Sequence, residues 1–79
     1  MPYIKDEVKR DLAGRVAREP GELNFLITEL IADYWYFGKK NYQAISDILS
    51  SLEGAKLEFY RRIVAPYEDL KIKENGDVY

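Results

Sequence analysis

The residues of this chain best able to do chemistry are its carboxylates, Glu22, Glu29, Asp33, Glu53, Glu58, Glu68 and Asp69. Carboxylates facing one another from neighbouring helices can hold a magnesium ion and, through it, the phosphates of a nucleotide. Glu29 and Asp33 share one helical face at four-residue spacing, and Glu53 would oppose them from a later helix. A second group, Lys56, Tyr60, Arg61, Arg62, Tyr67, Glu68 and Asp69, gathers bases, tyrosines and acids around a proline. Arginine forks of that kind receive phosphate or a partner's carboxylate.

Each group has a plainer reading. The all-α nucleotide pyrophosphatases use two closely spaced acidic pairs, and their Glu-x-x-Glu followed by Glu-x-x-Asp is absent here. Glu53 can pair with Lys56, and Glu58 with Arg61 or Arg62, one turn along a helix. The chain has no histidine and no cysteine, which removes triads, thiolate sites, disulfides and the commonest zinc ligands. No Gly-rich phosphate loop or nucleophile elbow is present. No catalytic residue is therefore assigned, and no cofactor is expected beyond Mg2+ under the nucleotide-enzyme alternative.

Seventy-nine residues make a single helical domain (1–79), near the lower limit for a core that stands unaided. The net charge of −2 argues against nucleic acid as a partner. No apolar run approaches the ~20 residues that span a bilayer, and the first residues lack the design of a signal peptide. A cytoplasmic protein without a membrane partner is the expectation. Seven tyrosines against three phenylalanines suit surfaces that are half apolar and half wet.

These residues must be positioned by helices. Ile4, Val8, Leu12 and Val16 recur every fourth residue and predict a first helix over about 4–18, weakened by Gly14. Glu19-Pro20-Gly21 reads as a turn. A second helix over about 22–37 carries Leu23, Leu26, Ile27, Leu30, Ile31 and Tyr34 on one face. Phe25, Trp35, Tyr36 and Phe37 spill beyond it. Gly38 stands where a helix end requires a left-handed residue, with Lys39 and Lys40 favouring the C-terminal pole.

Asn41 caps a third helix over about 41–65, whose row runs Tyr42, Ile45, Leu49, Leu52, Lys56, Phe59 and Ile63. At about 36 Å it is too long for two shorter helices to cover. Lys56 must snorkel from this seam or meet an acid such as Glu29 or Asp33, and Gly54 with Ala55 marks a helix crossing. Pro66 kinks the helix or opens a short fourth one that ends at Asn75-Gly76, a hairpin there being the rival.

Several segments together resemble a small prokaryotic and phage domain family of unknown function. They are Met1-Pro2-Tyr3-Ile4, Gly21-Glu22-Leu23-Asn24-Phe25 with Ile27-Thr28, and Lys56-Leu57-Glu58-Phe59-Tyr60-Arg61-Arg62. Val64-Ala65-Pro66-Tyr67-Glu68-Asp69, Lys71-Ile72 and Glu74-Asn75-Gly76-Asp77-Val78-Tyr79 complete the likeness. It implies no activity.

The expected architecture is all-α, a small bundle of three main helices with a short helical or irregular tail. Helix two would pack antiparallel on the first half of helix three through Leu23, Ile27, Leu30, Ile45, Leu49 and Leu52. Surplus apolar surface on Phe25, Trp35, Tyr36 and Phe59, with Tyr60 beside it, points to a homodimer. The expected function is a non-enzymatic interaction or assembly module. Its partner is a second copy or another protein, such as the host target of a phage-type modulator. The alternative is the magnesium-dependent nucleotide enzyme.

Overall fold

The computed structural model describes residues 3–79, so Met1 and Pro2 of the opening segment lie outside the described residues. The fold is all-α, and no strand occurs among those residues. In chain order come α1 (Asp6–Leu12), α2 (Pro20–Phe37), α3 (Tyr42–Phe59), a π-helical turn (Tyr60–Val64) and α4 (Ala65–Asn75). The chain divides into two compact units, Met1–Ala44 and Ile45–Tyr79.

In the first unit, α1 stops six residues before the expected position 18. After Leu12 the amides of Ala13, Gly14 and Arg15 bond three residues back, to Arg10, Asp11 and Leu12, at 3.3, 3.1 and 3.4 Å. Those bonds tighten the last turn and end the α-helix. Leu12 is buried, whereas Val16, which the fourfold stripe would bury, is 78% exposed.

The second helix starts two residues earlier than expected, because Pro20 occupies its first turn rather than the turn before it. Proline suits that position: its fixed φ is helical and its missing N–H would have had no partner. At the other end Gly38 is extended (φ −108°), not left-handed. The need for glycine there is steric, since a Cβ would lie 2.7 Å from the Tyr34 carbonyl oxygen. Lys40 Nζ donates to the Tyr36 carbonyl at 3.1 Å, as a cation near a helix C-terminus should. Asn41 caps α3 as expected, its Oδ1 accepting the Ala44 N–H at 2.9 Å.

The face that α2 covers only flanks the one its pattern suggests, of whose six residues Leu26 and Ile31 alone are half-buried. Glu22 is buried, and Phe25, Ala32 and Trp35 are half-buried beside it. Leu23, Ile27, Leu30, Tyr34 and Phe37 are all exposed. At 100° per residue these five fall within a sector of about 80°, so a whole apolar stripe stands uncovered. Of the six residues expected to form the helix-two and helix-three core, each is exposed. Among the described residues only Leu12 and Ala44 are buried apolar side chains.

In the second unit, helix continues past Pro66 instead of breaking. A proline cannot donate to the carbonyl four residues back, and its ring crowds that carbonyl. The chain answers with one wide turn in which the Ala65 N–H bonds to the Tyr60 carbonyl. The last helix then ends at Asn75, where Gly76 takes φ +89° and donates to the Ile72 carbonyl at 2.7 Å. Asn75-Gly76 thus closes a helix, and the hairpin reading is set aside. A Cβ on Gly54 would meet nothing within 4 Å, so no backbone crosses there.

Candidate functional site

The most tightly built polar cluster is one the residue spacing did not suggest. Arg15 sends Nη1 and Nη2 to the two carboxylate oxygens of Glu22 at 2.8 and 2.9 Å, while its Nε reaches Asp11 at 2.6 Å. Glu22 also accepts the backbone N–H of Arg18 at 2.9 Å, and Arg15 Nη1 donates to the Val16 carbonyl at 2.9 Å. The fork is bidentate and charge-assisted, and both side chains are largely covered, at 16% and 11% exposure. Hydrogen bonding by Arg15 and the Arg18 amide holds the Glu22 carboxyl down at about 2, from 4.5. The Arg15 guanidinium is shifted upward by the same bond and by Asp11.

This cluster fastens the α1–α2 connection: every donor aimed at Glu22 comes from the seven residues before it. A signal for it did exist. With Pro20 in the first helical position, Glu22 becomes the third, where a carboxylate reaches back to amides upstream. Arg15 had no such signal, because a seven-residue step across a turn belongs to no helical face. With Glu22 accepting from three donors, the fork is satisfied internally and serves as a clamp.

The second cluster contains the expected patch, all of it in the second unit. Glu53 pairs with Lys56 at 3.7 Å, and Glu58 receives Arg61 at 2.7 Å and also Arg62. Lys56 is therefore not sunk in a buried seam: its side chain is 74% exposed and pairs with Glu53. Exposed pairs of this kind contribute little to stability. Lys71 pairs with Glu74 and lies 5.6 Å from the Tyr67 ring centre, and Asp69 is exposed.

Tyr60 donates its hydroxyl to Glu68. In an unbroken α-helix, residues eight apart point roughly 80° away from each other. The extra residue of the π turn brings them to within about 20°, so the widening around Pro66 aligns this pair. Its bond to Glu68, and then the Glu68 charge, raise the Tyr60 pKa.

Of the expected interface residues, Phe25 and Trp35 are half-buried, and Lys9 Nζ sits 5.4 Å from the Phe25 ring centre. Tyr36 and Phe59 are exposed. Glu29 and Asp33 are exposed on α2, and among the described residues no group of three acidic side chains gathers closely enough to hold a metal ion. Nor is any described helix long and apolar enough to cross a membrane.

The chain belongs to the family described as Domain of unknown function (DUF6899), whose model matches residues 1–78. That match runs through both units. No curated protein and no solved structure gives a match.

Proposed function

We propose that this protein is a non-enzymatic assembly module that works as a homo-oligomer, most simply a dimer in the cytoplasm. One observation carries the reading: each unit leaves a row of apolar side chains uncovered along one helical face.

The rows are Leu23–Ile27–Leu30–Tyr34–Phe37 in the first unit and Ile45–Leu49–Leu52–Phe59–Ile63 in the second. A polar network with its own partners, as at Arg15 and Glu22, supports structure over catalysis. Light scattering tests the reading. The expected mass at micromolar concentration is about 19 kDa, twice that of one chain, and Leu49→Glu should bring it down to one chain. A parent protein that scatters as a single chain would overturn it.

A further inference from the structure

The second unit places Ile45, Leu49, Leu52, Lys56 and Phe59 in one row of α3, at steps of four, three, four and three, and Ile63 carries the spacing four residues on into the π-helical turn. That is a heptad seam, which keeps one face toward a partner helix. All five apolar members are exposed, and among the described residues of this unit none is buried. A helix without tertiary cover gains little stability from propensity alone. The single charge in the row, Lys56, decides which partner and which direction fit.

We propose that the seam is covered by the same seam of a second copy running antiparallel, with the two-fold axis crossing the seam face at the level of residue 54. This rests on the self-association proposed above and names its geometry. In a parallel pair Lys56 would face its own counterpart at the same level, setting like charges together in an apolar layer. In the antiparallel pair each seam residue faces the one whose number makes the sum 108 with its own. Ile45 then packs on Ile63, Leu49 on Phe59, and Lys56 on Leu52 of the other copy.

The same reversal brings Glu53 of one copy beside Lys56 of the other. With the axis at residue 54 and a rise of 1.5 Å per residue, the two lie about 1.5 Å apart in height, on the same flank of the seam. Each glutamate then lies beside the other copy's lysine, with the two glutamates between the two lysines, extending across the pair the Glu53–Lys56 contact that each chain already makes at 3.7 Å. Gly54 falls on the opposite side of the helix, consistent with the open space around it. The arrangement is thus chosen by charge as well as by apolar area.

The chain lacks cysteine, so single cysteines report geometry cleanly. With a short bismaleimide, Ala55→Cys should cross-link to itself across the axis, Ile45→Cys alone should not, and a mixture of Ile45→Cys with Ile63→Cys should yield the mixed dimer. Lys56→Glu should weaken the dimer by about tenfold or more, and the swap Lys56→Glu with Glu53→Lys should restore it. Self-cross-linking of Ile45→Cys would mean a parallel pair. A two-chain mass with none of the expected cross-links would place the interface elsewhere. Either result overturns the geometry and leaves the association intact, whereas a one-chain mass removes both.

Discussion

The two units are stabilised by interactions of different reach. In the first, residues distant in sequence are tied together. Arg15 grips Glu22 seven positions on, Leu12 and Ala44 are buried, and Phe25 and Trp35 are half-covered. In the second, the pairs Glu53–Lys56, Glu58–Arg61, Glu58–Arg62 and Lys71–Glu74 each span three or four residues along one helical run, and their side chains are substantially exposed. Pairs of that kind adjust a helix but do not hold a fold. A unit with no buried side chain has to find its missing burial elsewhere, and the seam of the second unit is the surface available for it.

The contrast can be broken from either side. The largest effect is expected from Leu12→Ala, which should destabilise the first unit by about 3 kcal/mol. Hydrogen exchange read by segment would show faster exchange over residues 6–37, with the second unit's association unchanged.

Glu22→Gln comes next and carries a pH signature. The Glu22 carboxyl is held at about 2 when folded, against 4.5 ordinarily. Its contribution is therefore full above about pH 4.5 and is lost as pH falls toward 2. The variant should be less stable near neutrality and should show a flatter acid limb in thermal melts.

Gly54→Ala is expected to raise the helical stability of the second unit by about 1 kcal/mol, because the added Cβ meets only open space. A loss of stability there would indicate a close approach that the exposed face does not show. The smallest effect belongs to Tyr60→Phe, which removes the bond to Glu68. The phenol's pKa is raised in the fold, so its contribution is present below the ordinary tyrosine range and fades as pH rises through the raised value. Alkaline melts of parent and variant should converge.

What the sequence made legible follows the same division. Local signals held: the Asn41 cap, the Gly76 stop, Lys40 at the end of α2, and the Glu58 pairs with Arg61 and Arg62 all came from rules acting within four residues. Periodicity identified the helices but misplaced the end of the first. The stripe from Ile4 to Val16 carried no trace of Arg15 turning toward Glu22. It also centred the covered face of α2 on Leu23, Ile27 and Leu30, whereas cover falls on the side carrying Glu22, Phe25 and Trp35 and reaches only Leu26 and Ile31 of the expected stripe. The amphipathic pattern records which surface is fit to be buried, and says nothing of whether its own chain or another buries it.

The patch around Pro66 was legible in composition but not in geometry. A proline inside a helical pattern signals disruption, and only the wide turn at Tyr60–Val64 shows how Tyr60 comes to face Glu68. Lys56 looked anomalous because its row was taken to be buried within the chain. On an exposed seam it becomes the residue that sets direction.

The measurement closest to the central claim is segment-resolved hydrogen exchange on the parent and on Leu49→Glu, a change that leaves helix propensity almost untouched. If the long helix of the second unit is held by a second copy, amides over residues 45–63 should exchange about tenfold faster or more in the variant, with residues 6–37 unaffected. Equal protection of residues 45–63 in both proteins would contradict the account.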